Sequence, residues 1–494
     1  MKMERQHQAK RIRKAKIIVI GTGFSGIAAA ARLLQQGERD LLILERGHDV
    51  GGVWRDNQYP GCACDVESHL YSLSFAPNPG WSRKFSPQAE IQSYLQKCAA
   101  EFGLMRHICF HHEVQRLDWD EPTREWLIQT NMGEFAADIV VGAVGALSQP
   151  SIPELEGIER FQGEVFHSAQ WPADFDPAEK RIAVVGTGAS AIQFIPHIQP
   201  QAGLLHVFQR TPAWVIPQQD KAIKAERQQA YRRFPVLQKM ARLNIYTKRE
   251  AMVFGFRHPN WLKAVEKLAV KHMNEAIKDP ALRAKLTPDY RIGCKRILLS
   301  NSYYPALAES NVEVHTTGIT KVVEDAVIDA QGKRIPVDSI IFGTGFQVTE
   351  FPIARHIYGR AGHSLKEEWN GSPKAYLGTT ITGFPNLFLI QGPNTGLGHT
   401  SVILMIEAQV NHLLNALKYM KRRRLEMIEP KVGAQERFVE ETDRLMKGTV
   451  WTSGGCRSWY LDQTGRNSTL WPGTTLSFMK KAGQFNKEDY IATK

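Results

Sequence analysis

One supersecondary unit occurs twice in this 494-residue chain and limits what it can fold into. The first copy opens with the β-branched run Lys16-Ile-Ile-Val-Ile20 and turns through Gly21-Thr-Gly23-Phe-Ser-Gly26. It continues as Ile27-Ala-Ala-Ala-Ala-Arg-Leu-Leu34, and Leu41–Leu44 follows. A short apolar run without alternation reads as a strand buried on both faces. The alanine-rich stretch has high helix propensity. The second copy is Arg181-Ile-Ala-Val-Val185, Gly186-Thr-Gly188-Ala-Ser-Ala191 and the strand Leu204–Phe208. In such a unit the first glycine makes the tight turn and the second lets backbone approach a pyrophosphate. The third, alanine in the second copy, packs helix on strand. The helix N-terminus then offers free N–H groups to the phosphates. The expected fold class is α/β, with two Rossmann-like dinucleotide-binding domains.

The two copies differ at one telling position. Glu45 lies 24 residues after Gly21, and Arg210 lies 24 residues after Gly186. An acid suits a free ribose 2′-hydroxyl, whereas an arginine accommodates a 2′-phosphate through charge-assisted bonds. The first site is therefore expected to hold FAD and the second to prefer NADPH over NADH.

Returning strands are expected at Asp138–Gly145 and from Asp338 through Gly345. Between the second copy and its return, roughly Lys221 to Thr287 is rich in Lys, Arg, Gln and Ala and reads as a helical insertion. There Asn260 is expected to cap a helix with Leu262, Val265, Ala269, Met273 and Ala276 on one face, and Asp279-Pro280 to end it. The expected division is residues 1–147 and 347–494 for the FAD domain, 148–217 and 291–346 for the NADPH domain, and 218–290 for the insertion. Further helices are expected at Ile91–Phe102 and from Ser401 to Tyr419.

Composition excludes several classes. The formal net charge of +12 is spread along the chain, with no aromatic-interleaved basic run and no zinc-finger or helix-turn-helix spacing. Phosphate-bearing ligands and a solvated surface account for it better than nucleic acid does. Lys10, Arg11, Arg13, Lys14 and Lys16 precede an apolar run, as in a signal peptide, but Gly21, Gly23, Gly26 and Arg32 interrupt it. No apolar segment reaches the ~18–20 residues of a membrane span. Six cysteines are few, and Cys62 and Cys64 form C-x-C rather than a dithiol C-x-x-C. Reduced thiols, no metal site and a cytoplasmic location are expected.

Three further stretches carry a resemblance. Phe161, Gly163, His167 and Trp171 form F-x-G-x-x-x-H-x-x-x-W-P, a spacing that neither helix period nor strand alternation calls for. Gly51 to Asp65 reads G-G-x-W-x-x-x-x-Y-P-G-x-x-x-D, and Lys295-Arg296 follows Gly293-Cys294. The pattern resembles type I Baeyer–Villiger monooxygenases. In the related flavin N- and S-oxygenases the first motif ends in Tyr or Phe instead of Trp171. The resemblance runs from about Ile17 to Pro472, with the motifs in the family's order.

It implies flavin contacts from Gly52, Val53, Trp54 and Asp65, with Phe24, Ser25, Tyr71 and Val114 also cofactor-binding. Thr187, Ala189, Ser190, Thr211 and Lys295 would attend NADPH, Asn394 would lie near the flavin, and Gly345 would also be cofactor-binding. Arg296 and Asp65 would be catalytic, and Trp459 would sit at the active-site mouth. The implied reaction converts ketones to esters or lactones with NADPH and O2 through a C4a-peroxyflavin, with sulfides as further substrates. The competing readings are a flavin N- or S-monooxygenase, a flavin disulfide reductase and a non-enzymatic nucleotide sensor. The particular ketone and the oligomeric state stay open.

Overall fold

In the computed structural model, which describes residues 12–494, the strand Arg13–Ile20 lies inside an eight-stranded mixed sheet. Ile17, Ile18 and Val19 are fully buried. The apolar run behind the basic residues is thus a core strand; Lys10 and Arg11 fall outside the described residues. It pairs in parallel with Leu41–Leu44 on one side and Gly133–Gly142 on the other. The returning strand therefore begins at Gly133 rather than Asp138. Its first half pairs antiparallel with Glu125–Thr130, and its second half pairs in parallel with Leu387–Leu389. This one long strand brings the C-terminal part of the chain back to the first fingerprint. The helix Phe24–Gln35 packs Ala28–Ala31, all fully buried, between this sheet and the helix Val402–Arg423. Alanine suits the position because small side chains let a helix come close on both sides.

The second sheet is wholly parallel, in the order Val312–His315, Leu204–Phe208, Arg181–Val185, Ser339–Phe342, Glu164–His167. Glu164–His167, a third of the Phe161–Pro172 stretch, is thus an edge strand, although its burial does not alternate. One face of the sheet is covered by an antiparallel meander of Ile319–Val323, Ala326–Asp329 and Arg334–Pro336. Val322, Val327 and Ile335 pack there on Ala183, Phe208 and Phe342.

The insertion is helical, with segments from Ala225 to Leu286. Its caps differ from expectation. Asn260 lies inside the short 3-10 turn Pro259–Leu262 and caps nothing, and the helix runs Lys263–Ala276 with only Ala269 and Met273 buried. Asp279 caps the next helix, Pro280–Leu286, by accepting from the N–H groups of Ala281 and Leu282. Phe256 and Leu262 of the insertion share a core with Cys294, Trp451, Tyr460 and Leu470.

The expectation of reduced thiols throughout is also corrected. Cys294 and Cys456, 162 residues apart, form a disulfide. Such a pairing is invisible in sequence because the segment after the insertion and the C-terminal segment meet only in the folded core. Cys62, Cys64, Cys98 and Cys109 are free. Among the described residues no helix is long and apolar enough to cross a membrane.

Candidate active site

Both glycine turns open onto one cavity of about 1100 Å³. Gly21 has φ +101°, and a Cβ there would lie 2.7 Å from the Ala143 carbonyl oxygen. Gly186 repeats this with φ +106° and 2.5 Å to the Gly343 oxygen. Each fingerprint is therefore pressed against its own returning strand, leaving no room for a side chain. Gly26 lies off the cavity and packs under the turn, where a Cβ would meet the Gly21 oxygen at 1.9 Å. The helices that follow have Gly23 and Gly188 as caps, and neither carries a side-chain cap. Their first residues, Phe24 and Ser25, and Ala189 and Ser190, line the cavity with Thr187. The first N–H groups of each helix are thus left for a ligand.

Glu45 is buried at the end of Leu41–Leu44 on the cavity wall. Its carboxylate already accepts from the Thr22 N–H (2.9 Å), the Thr22 hydroxyl (2.6 Å), the Gly47 N–H (2.7 Å) and Arg55 (2.7 Å). Burial alone would raise its pKa, but Arg55 and these donors hold it below the ordinary carboxyl value. A ligand hydroxyl must therefore share or displace one of them. Arg55, which also pairs with Asp56, occupies a variable position of the Gly51–Asp65 motif and was not singled out from sequence.

The next wall is formed by Gly52, Val53, Trp54, Asp65, Tyr71 and Val114. The Trp54 indole N–H donates to the Tyr71 hydroxyl at 3.1 Å, and the Phe24 ring meets Tyr71 edge-on at 5.1 Å. Three aromatic rings so make one rigid flank.

Asp65 and Arg296 face each other across this wall. The guanidinium donates through Nε to Oδ2 at 2.5 Å and through Nη2 to Oδ1 at 2.6 Å, a bidentate fork. Burial would raise the Asp65 carboxyl, but Arg296 and then Arg249 outweigh it and hold it below the ordinary carboxyl value. Reciprocally, the Asp65 charge raises the Arg296 pKa despite burial. Arg249, on the insertion helix Pro235–Glu250, donates to the Asp65 backbone oxygen at 3.0 Å and pairs with Glu67 at 2.6 Å. Nothing local in the sequence signals that this helix reaches Asp65.

At the other end lie Arg210, Thr211 and Lys295. Burial and then Arg210 depress the Lys295 pKa, and its ammonium sits 4.9 Å above the Tyr290 ring. Neither cation has an acidic partner within ion-pair distance among the described residues. Two cations directed at one space without a carboxylate fit an anionic ligand group. Gly345, with φ +81°, also lines the cavity, and Trp459, 45% exposed, stands at its edge.

Asn394 does not reach the cavity. It is buried, its amide donates to the Asn467 and Leu470 carbonyls, and its oxygen accepts from Arg466. It organises the turn behind the wall. The Phe161, Gly163, His167 and Trp171 motif is likewise off the wall. A Cβ at Gly163 would meet the Asp338 oxygen at 2.1 Å, so this edge strand needs glycine to close on its neighbour. His167 is fully buried and its Nδ1 accepts from the Ala169 N–H at 3.1 Å. Burial lowers its pKa, opposed in part by the Gly345 backbone. Its ring meets Phe346 edge-on at 5.6 Å, next to the cavity residue Gly345. Phe161 packs under the meander, and Trp171 packs on Phe166, Phe175 and Phe194.

Residues 14–357 match the family model for flavin-binding monooxygenase-like proteins. The chain is 50% identical over 485 residues to a Baeyer–Villiger monooxygenase of Pseudomonas aeruginosa, covering 97% of this chain and 92% of that one. It is 49% identical to a Baeyer–Villiger monooxygenase of Streptomyces coelicolor, covering 96% and 92%. The crystal structure of cyclohexanone monooxygenase from Rhodococcus sp. Phi1 bound to NADP+ superposes with a TM-score of 0.87 at 27% identity, over 98% of this chain and 100% of that one. With its paired glycine turns, its Asp65–Arg296 fork and these relatives, the chain belongs to the flavin-binding monooxygenase-like family, among the Baeyer–Villiger monooxygenases.

Proposed function

We propose that the protein uses NADPH and O2 to convert a ketone to an ester or lactone, with FAD in the first nucleotide site and NADPH in the second. Bound FAD, reduced by NADPH, supplies the activated oxygen that is inserted beside the carbonyl. The observation that carries this reading is the Asp65–Arg296 fork on the wall of a cavity shared by both fingerprints.

The turns at Gly21 and Gly186 let backbone N–H groups approach two pyrophosphates, and Glu45 orients the ribose of FAD by exchanging one of its present donors. Trp54 and Tyr71 form a stiff flank for a flat ring. Arg210 and Lys295, with Thr211, take the 2′-phosphate, which distinguishes NADPH from NADH. Arg296 keeps its proton at every working pH, so it stabilises negative charge on the reacting oxygen without transferring that proton to it. Asp65 is a positioning residue that fixes the planar fork, and Arg249 fixes Asp65. His167, buried beside Phe346, couples the edge strand to the segment that returns through Gly345. The division into FAD, NADPH and insertion segments set out from sequence is retained with this assignment.

A disulfide-reductase reading is disfavoured by the thiols themselves. Cys62 and Cys64 are buried, and burial pushes the Cys62 thiol up to about 11, so it offers little reactive thiolate near neutral pH. The test is a flavin absorption spectrum together with NADPH consumption in air, with and without cyclic and linear ketones, and product analysis. Ester formation matched to NADPH use is expected. Sulfoxide or N-oxide products without any ester would move the chain to the other oxygenase class.

A further inference from the structure

On the side of the second sheet away from its fingerprint, three ligand-type side chains converge. His206 lies on the strand Leu204–Phe208, and Glu313 and His315 on the adjacent strand Val312–His315. The pairing register sets Glu313 opposite His206 and His315 opposite Phe208. Alternation along a strand then puts all three side chains on one face. His206 Nδ1 is 3.1 Å from His315 Nε2, and Glu313 Oε2 is 3.5 Å from the first and 3.6 Å from the second.

A hydrogen bond explains only one edge of this triangle. One proton can lie between the two imidazoles at 3.1 Å, but the carboxylate oxygen stands beyond ordinary hydrogen-bond length from both. Ligands held at ~2.0–2.1 Å around a tetrahedral ion are about 3.4 Å apart, and the three edges, at 3.1, 3.5 and 3.6 Å, lie close to that spacing. The cluster is also held in place. The Phe208 ring stacks on His315 at 4.6 Å and 14°, and Ala183, opposite His206 in the next strand, leaves space beside it. The imidazoles are buried or nearly so while the Glu313 side chain is 51% exposed, which leaves a route for an ion and for a water as fourth ligand. Asp329, a further carboxylate acting on His315, is taken up by Thr317 and the N–H groups of Gln331 and Lys333. Lys285, whose ammonium donates to the Val314 oxygen, and Lys333 and Arg181 are the opposing cations.

We propose that His206, Glu313 and His315 form a binding site for a divalent late first-row transition ion of the zinc type. Two imidazoles and one carboxylate suit such ions, with affinity rising toward the end of the series. The ion would clamp two strands whose continuations, Gln209–Thr211 and Thr317–Ile319, both line the cavity, and the Gln209 N–H already donates to the His315 oxygen at 2.9 Å. It would therefore stiffen the wall beside Arg210 and take no part in the oxidation. The site stands whether or not the monooxygenase reading does.

The test uses the flavin-loaded protein without a polyhistidine tag, stripped with chelator and titrated with cobalt(II) chloride. Expected are one cobalt per chain with the visible bands of four-coordinate cobalt, their loss on adding zinc, and a zinc-dependent rise in thermal midpoint. His315→Asn and His206→Asn should weaken cobalt binding by at least the roughly 10–100-fold that loss of a mere outer-shell partner costs. Glu313→Gln, at an exposed position that threatens folding little, should do the same. If the wild type shows no four-coordinate cobalt, or if Glu313→Gln and His315→Asn bind as the wild type does, the proposal is overturned and the three residues are only a hydrogen-bonded cluster.

Discussion

Replacing Arg296 with alanine separates a catalytic cation from a structural ion pair. The fork is made of two short charge-assisted bonds, and the side chains keep 32% and 24% exposure. Breaking a fully buried pair costs about 3–5 kcal/mol; residual solvent at this pair screens part of that, so about 1–3 kcal/mol of stability should be lost. The remaining Asp65 keeps its burial and Arg249 but loses the largest of the charges that held its pKa down, so its carboxyl should titrate higher than in the wild type. In the wild type the stability contributed by Asp65 is present above the ordinary carboxyl pKa and lost as pH falls through its lower folded value. In Arg296→Ala that contribution shrinks, so the variant should lose less stability on acidification than the wild type does. Flavin content and anaerobic reduction by NADPH should stay close to wild type, while ester formation falls roughly 100- to 1000-fold, the cost of removing one preorganised charge donor. Arg296→Lys should recover little, because one ammonium cannot reproduce the planar fork. The deciding protein is the double variant Asp65→Ala/Arg296→Ala. Removing both partners should return much of the stability, read by thermal melts, without returning ester formation, read by product analysis. Recovery of ester in the double variant, or near wild-type ester in Arg296→Ala, would refute the catalytic assignment and leave a salt bridge.

Three other outcomes are expected. Arg210→Ala should raise the KM for NADPH roughly ten- to a hundredfold more than the KM for NADH, as loss of a charge-assisted phosphate contact implies; steady-state kinetics with both cofactors check this, and equal effects would remove the 2′-phosphate assignment. His167→Ala should slow flavin reduction or uncouple NADPH use from product, measured by stopped-flow reduction and peroxide release, whereas normal reduction with abolished oxygenation would point to a chemical role. Cys456→Ser should lower the thermal midpoint by the equivalent of about 2–4 kcal/mol, because it frees a closure spanning 162 residues; an unchanged melt under otherwise equal conditions would show that the Cys294–Cys456 bond does not constrain the chain.

What the sequence determined by itself is local. Strand, glycine turn and helix lie within one short segment at Gly21 and again at Gly186, so buried β-branched runs, turn geometry and alanine propensity all point the same way there. The contrast between Glu45 and Arg210 is legible for the same reason, since both follow a fixed spacing from a recognisable turn. Positions that depend on distant partners were legible only through the family resemblance, or not at all. Asp65 and Arg296 are 231 residues apart and meet because the segment after the insertion packs against the FAD domain. Asn394 looked like a cavity residue but is turned away by Asn467, Leu470 and Arg466, and Asn260 lost its capping place to a tight turn. Tertiary packing alone brought Arg249 to Asp65, joined Cys294 to Cys456, and set His206 beside Glu313 and His315. No period or propensity along the chain encodes such contacts, because they follow from which strands become neighbours and in what register.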